Sequence, residues 1–570
     1  MPWFFALYVA VTTVFGFMTN TMVNYGYDYV QFLNPMCIAI PVVAVLMVWW
    51  LSRSSEDCQA KALMVVGIAL LLCLPVAFVA LRTKIHVFGG DGAVGCVPNG
   101  EFSLLDWIPP FPGRGRLDGY GSAFVAKCCR RFGLFHRLPV MPSIVAASAY
   151  SIVVGILFTV IAFLFLRKVT GLFPMLVTMP FIFNYFGNID SYAFSLLVGL
   201  VFLLACLPLV TVHEIRTGHL LFLMALCGIG IWTHPFHVFD GFILAVFLTR
   251  YLRQRGWLSA RFPNWLLPTA FGCVFLVALK MSRYGNAWFD WPFAKPPPAF
   301  SIDTFTHWLN MLFLPILPWM VASFLNRKSD GSFKTALHLF FVASVVFFCM
   351  AFTLGVVDQF NYYHLLFFFL IPWILLAVRH PLPPLSAVCI VLLNLCLLVP
   401  MVAVHSSDRT VDRAEALYPV DPCQHNRIMS WQTHLGLVLG DNFQESKVVR
   451  QACLRAFRDG AKGAMPSSRR INNHIYHTAF LYNFGEFEQG RRQIELLVSQ
   501  DPQMLRMFLG ERPAFIYFNR ERLWSDLDQI VASRYPQLLE QWRSAVVESR
   551  KRAIANPYYL RPSVYARTDY

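Results

Sequence analysis

The sequence predicts an all-α fold: a polytopic transmembrane helical bundle of about thirteen helices, followed by a soluble α-helical tail. Three observations predict it. Only 14% of the 570 residues are charged and 57% are hydrophobic, whereas a soluble domain carries roughly 25% charged residues. Apolar runs long enough to cross a bilayer recur from Trp3 to Val404. Beyond them the chain turns dense in Arg, Glu, Gln and Asp, with no spanning run. The division is therefore a membrane domain over 1–404, with a large loop at 82–142, and a separate helical domain over 405–570.

Periodicity and hydropathy predict helices over 3–19, 34–51, 62–81, 143–166, 169–184, 192–212, 219–233, 238–250, 264–281, 306–325, 336–357, 362–378 and 385–404. Several fall short of the ~20 residues that a perpendicular span needs. Thr233-His234-Pro235 splits 219–250, where a re-entrant turn competes with a full loop. The first basic residue is Arg53 and no small-residue cleavage site follows the first run, so the first helix is expected to be retained.

Orientation follows from loop charge. Loops after even-numbered helices hold Arg53 and Lys61, Arg167 and Lys168, Arg216, and the group Arg250, Arg253, Arg255 and Arg261. They continue with Arg327, Lys328, Lys334 and Arg379. The short loops after odd-numbered helices hold only Lys280, Arg283 and Lys295. Basic loops stay cytoplasmic, so the N-terminus is expected in the cytoplasm and 82–142 and 405–570 outside. The net charge of +15 then belongs to topology, and no nucleic acid is expected as a partner. The cytoplasmic loops carry no P-loop, which excludes ATP hydrolysis through that motif.

The tail reads as helical. From His474 to Pro502, Tyr476, Ala479, Leu481 and Tyr482 fit one helix, Gly485 a turn, and Gly490, Ile494 and Leu497 a second. This spacing resembles one tetratricopeptide repeat. One repeat cannot bury a core alone, so helices at 424–440, 443–459 and 521–549 are expected to complete it. The fourteen Cys show no metal-ligand spacing, and a Cys423–Cys453 bridge in the tail stays open.

Chemistry-bearing residues cluster at the outer ends of helices. Phe88-Gly89-Gly90-Asp91-Gly92 follows the third helix; its glycines leave the carboxylate unhindered, although an ordinary Asp-Gly turn reads the same way. Tyr185-Phe186-Gly187-Asn188-Ile189-Asp190-Ser191-Tyr192 sets a carboxylate beside aromatic rings that suit sugar or lipid-phosphate recognition, although an aromatic belt with a polar turn reads the same way. Trp232-Thr233-His234-Pro235-Phe236-His237 with Asp240 offers two imidazoles and a carboxylate for metal or phosphate, but polar helix ends explain the same pattern. Asp358 and His364 stand at a further outer end. Asp240 lies near the bilayer, where ionisable groups are costly and often functional.

These features together resemble the GT-C class of membrane glycosyltransferases, in particular bacterial members with a Gly-Asp-Gly at the start of an outer loop and a tetratricopeptide-like tail. Gly187-Asn188-Ile189-Asp190-Ser191-Tyr192 is similar to their element between middle helices. The resemblance implies a polyprenyl-phosphate-linked sugar donor, an acceptor outside the cytoplasm, a bacterial inner or plasma membrane, and inverting displacement. Asp91 would be the base. His234, His237, Arg283 and His364 would stabilise the leaving phosphate. Asp190 and Asp358 would bind substrate. No cofactor is certain; a divalent metal is permitted but not required. The class usually places its large loop after the first helix, and Asp91 lacks an acidic neighbour, so Asp28 in the first outer loop is the rival base. Two other classes compete: a transporter or flippase of a lipid-linked glycan, and a scaffold acting through its tail.

Overall fold

The structure, a computed structural model, describes residues 1–18, 39–80, 142–179, 193–212, 214–259, 261–281, 313–326, 331–353, 365–406, 487–499 and 520–555, with a few separate positions such as Ile182, Phe186, Thr478 and Tyr482. The described residues are helical throughout and contain no strand. Each predicted apolar segment contains a helix: α1 (Pro2–Met18), α2 (Ala39–Ser52), α3 (Glu56–Ala80), α4 (Pro142–Leu166), α5 (Leu172–Val177), α6 (Ala193–Thr211) and α7 (Thr217–Thr233). Then come α8 (Val238–Gln254), α9 (Leu266–Met281), α10 (Leu314–Leu325), α11 (Ser332–Thr353), α12 (Leu365–Arg379) and α13 (Pro384–Ser406). Among the described residues, three stretches are long and apolar enough to cross a membrane: Glu56–Val79, Ser148–Leu166 and Ala193–Thr211.

The bundle is built around α12. Every residue from Leu365 to Ala377 is buried, as befits a helix that is hydrophobic on all sides. Its Phe369 packs on Phe239 of α8 and Phe340 of α11. Gly199 of α6 lets Phe367 approach closely: an added Cβ would meet that ring at 2.9 Å. The peripheral helices leave apolar side chains outside, including Met64, Val65, Ile68, Leu72, Val76 and Val79 on α3. A continuous apolar flank of this kind suits lipid rather than water.

The fifth segment differs from its expected form. A single helix over 169–184 is predicted, yet the described helix ends at Val177, closed by Thr178 shortly before Pro180. Pro lacks an N–H and disfavours helical geometry in the residue before it. Six residues of helix reach only ~9 Å. Its described residues nonetheless advance along α3. Gly171, at φ 77°, abuts Leu63 of α3 and Ala387 of α13. Phe173 then lies against Gly67 of α3, and Thr178 accepts a hydrogen bond from Asn394 of α13 at 3.1 Å. Finally, Phe186 meets Phe78 of α3 at 5.4 Å between ring centroids. Advancing from Leu63 to Phe78 covers about 22 Å of helix.

One end of the bundle gathers the basic connectors. Arg250 donates to the carbonyls of Leu209 and Val212, capping the end of α6. Gln254 accepts from the Ile215 amide, and Gln59 donates to Leu51 and Ser54 carbonyls across the α2–α3 turn.

In the tail, α14 (Phe487–Val498) buries Gly490, Ile494 and Val498 on one face. The single helix expected over 521–549 is two helices, α15 (Arg520–Arg534) and α16 (Leu539–Ala555). They are separated by Tyr535 and a short 3-10 turn over Pro536–Leu538, because Pro536 cannot continue α15. Arg543 of α16 pairs with Asp528 of α15 at 3.2 Å, folding the two against each other. The helices expected at 424–440 and 443–459, and Cys423 and Cys453, lie outside the described residues.

Candidate functional site

The one sequence-flagged motif that falls within the described residues is the α7–α8 turn. Pro235 stops α7, and His234 before it is extended, at φ −155° and ψ 136°. Its amide still closes the last turn by donating to the Gly230 carbonyl at 2.8 Å. A 3-10 turn over Pro235–His237 leads straight into α8. The connection is therefore four residues long and turns the chain tightly back, with α8 packed on α7.

This tight turn drives His237 inward. The ring is 0% exposed and sits where four helices meet. Its Nδ1 lies 2.6 Å from Oδ2 of Asp240, in the first turn of α8. Its Nε2 lies 3.1 Å from both the hydroxyl and the carbonyl oxygen of Ser195 on α6. Phe368 from α12 makes a T-shaped pair with the ring, centroids 4.8 Å apart. On the α7 side, Gly230 is required: a Cβ there would stand 2.5 Å from the imidazole. With the Nδ1 proton directed at Asp240, the neutral ring accepts the Ser195 O–H at Nε2; the imidazolium donates instead to the Ser195 carbonyl.

Asp240 is also 0% exposed, and its second oxygen, Oδ1, has no hydrogen-bond partner among the described residues. A carboxylate enclosed this far from water is tolerated only when paired. Orientation of an imidazole is the usual service of such a carboxylate. His234 is buried as well; its Nδ1 accepts from the Phe236 amide at 3.2 Å, an arrangement that protonation of that nitrogen would break.

Of the other sequence-flagged residues, Asp91, Asp28, Asp190, Arg283, Asp358 and His364 lie outside the described residues. Phe186, from the motif that carries Asp190, is within them. It fills a slot made by Gly155, where a Cβ would meet it at 2.6 Å, and by the rings of Phe78 and Phe158. Ser195 was not singled out by sequence: nothing local marks one serine in an apolar helix, and its partner stands 42 positions away. Among the described residues no group of three or more His, Cys, Asp or Glu is placed to hold a metal ion.

Comparison of the chain with known protein families, with curated proteins and with solved structures finds no match.

Proposed function

We propose that the chain is a membrane glycosyltransferase of the GT-C type, which moves a sugar from a polyprenyl-phosphate donor to an acceptor outside the cytoplasm with inversion. One relationship carries the reading. The end of α3 and the starts of α6, α8 and α12 lie on one side of the bundle. A continuous chain of contacts links Phe78 near the end of α3, Phe186, Phe158 of α4, Phe367 and Phe368 of α12, and then His237 and Ser195. Asp91 follows α3, Asp190 precedes α6, and His364 directly precedes α12. The described helix ends nearest in sequence to these three motifs thus lie along one run of packed rings.

In this reading all thirteen apolar segments cross a bacterial plasma membrane, the fifth as a broken helix, with the N-terminus cytoplasmic and the tail outside. Asp91 takes the proton from the acceptor hydroxyl as it attacks the anomeric carbon. Arg283, His234 and His364 stabilise the leaving lipid phosphate, and Asp190 and Asp358 hold substrate. Transport of a lipid-linked glycan fits less well, since it calls for ionisable groups near mid-depth, whereas Asp240 lies in the first turn of α8.

The test is transfer of labelled sugar from polyprenyl phosphate in membranes at matched expression. Asp91→Asn keeps the shape and removes the basicity, so transfer should fall by about 100-fold or more. Full activity in that variant moves the base to Asp28. No transfer by the parent chain from any polyprenyl-phosphate sugar overturns the reading.

A further inference from the structure

We propose that the turn from α8 to α9 is a binding site for the headgroup of an acidic phospholipid. The proposal rests on the membrane setting of the chain and not on sugar transfer.

From 250 to 265 the sequence carries Arg250, Arg253, Arg255 and Arg261 and no Asp or Glu. The structure uses these guanidiniums in two ways. Arg250 caps the end of α6, and Arg253 donates to Oδ1 of Asn264 at 2.7 Å, joining the two ends of the turn. Arg255 and Arg261 are exposed. Neither pairs with a carboxylate among the described residues; Arg255 lies over the Tyr251 ring instead, 5.4 Å from its centroid.

The turn has a fixed shape. Gly256, at φ 73°, closes α8. Its amide donates to the Arg253 carbonyl and the Trp257 amide to the Leu252 carbonyl, each at 2.9 Å, the paired bonds of a Schellman cap. Ser259 accepts the Arg261 amide on its hydroxyl and the Phe262 amide on its carbonyl. At the far end, Trp265 pairs with the His338 ring of α11, centroids 6.3 Å apart. A connector that served topology alone would need positive charge and no particular fold.

What this shape presents is two guanidiniums beside two indoles. Trp257 is 72% exposed and Trp265 41%. Indoles settle at the membrane–water interface, and arginine offers forked donors to phosphate oxygens. Below the turn, Leu266, Val274 and Val277 continue an exposed apolar flank along α9, where acyl chains would lie. A soluble polyanion would engage the guanidiniums and leave this flank and both indoles in water; a phospholipid meets all three. The α2–α3 turn provides the contrast. Arg53 stacks on the exposed Trp49 at 3.7 Å, but Glu56 and Asp57 balance Arg53 and Lys61, and Lys61 pairs with Asp57 at 2.7 Å. That turn has the indole without the net charge.

The test uses the full chain in nanodiscs that hold phosphatidylcholine and phosphatidylglycerol in equal amounts. The photoreactive p-benzoylphenylalanine replaces Trp257 or, separately, Ile229 on the outward face of α7, and mass spectrometry identifies the captured lipid. At position 257 phosphatidylglycerol should exceed phosphatidylcholine by about 10-fold at low salt, from two basic groups at an anionic surface. Arg255→Gln with Arg261→Gln should bring the two adducts to equality. Arg255→Lys with Arg261→Lys keeps the charge and should keep the preference. Salt of about 1 M, which screens charges within about 3 Å, should weaken it. At position 229 neither lipid should be preferred. Equal adducts at 257 in the parent overturn the site. So does a preference that survives the double glutamine variant, or one equally strong at 229, which would belong to the whole lipid-facing surface. Absence of any lipid adduct at 257 would show that the turn stands clear of the headgroups and would also overturn it. The experiment needs no turnover, so it decides the site even if the chain transfers no sugar.

Discussion

Nδ1 of His237 and Oδ2 of Asp240 stand 2.6 Å apart with both side chains wholly enclosed. Removing either partner strands the other in a low-dielectric interior, a loss of about 3–5 kcal/mol. Replacing both by apolar groups of similar volume removes the desolvation cost along with the attraction. His237→Ala and Asp240→Ala should therefore each destabilise strongly, while the double variant His237→Phe/Asp240→Leu should cost less than either. Thermal unfolding in detergent ranks the three. A double variant that is the least stable of them would show that the pair contributes more than it costs to bury.

Gly230 should respond with a change of sign. An alanine methyl there would lie 2.5 Å from the His237 ring, so Gly230→Ala should cost about 1–3 kcal/mol through overpacking. In a His237→Gly background both the ring and the His237 Cβ, which would stand 2.9 Å away, are gone. Alanine is then the better helix former by about 1 kcal/mol, and the same substitution should be neutral or stabilising. The check is unfolding of the four members of this cycle; equal effects in both backgrounds would separate Gly230 from His237.

What sequence could reveal follows from the range of the forces involved. The apolar segments were legible because a helix buried on all sides, or facing lipid, demands a long run of apolar residues, and all thirteen contain a described helix. The break at Pro536 was legible in principle, since Pro lacks an N–H and stops a helix, yet 521–549 was read as one helix. The fifth segment was misread as continuous because hydropathy does not register the interruption before Pro180. At the site, His237 and Asp240 stood out as ionisable groups in an apolar stretch. Ser195, Gly230 and Phe368 did not, because their roles arise only when α6, α7 and α12 meet around one ring.

The loop charges predict orientation, and the bundle adds an internal consistency. Arg250, the α2–α3 turn and the connection after α6 sit where even-numbered helices end. The His237 turn sits where an odd-numbered one ends. A reporter active only outside the cytoplasm should therefore be silent when fused after Arg379 and active when fused after Tyr570. The reverse pattern would invert every outer assignment made above, including that of Asp91.

In the tail, the phenol of Tyr482 donates to Oδ2 of Asp526 at 2.8 Å, with both residues buried. Arg522 reaches the other carboxylate oxygen at 3.3 Å. Burial, and next the hydrogen bond and negative charge of Asp526, push the Tyr482 hydroxyl above its ordinary range. The folded state thus holds this proton more tightly than the unfolded chain, where tyrosine titrates near about 10. The resulting stability is fully present below that unfolded value and is lost as pH rises above it. Tyr482→Phe deletes the hydroxyl and leaves a buried carboxylate oxygen short of a donor, which should cost about 1–3 kcal/mol at neutral pH. It should also remove this alkaline slope. Hydrogen exchange across α15 at neutral pH measures the first effect. Pulse proteolysis with an alkali-tolerant protease from pH 8 to about 11 measures the second. The parent should hold steady up to about 10 and then weaken, and the variant should start lower and decline less. Equal protection of α15 in the two proteins would show that the Tyr482–Asp526 bond does not hold the tail helices together.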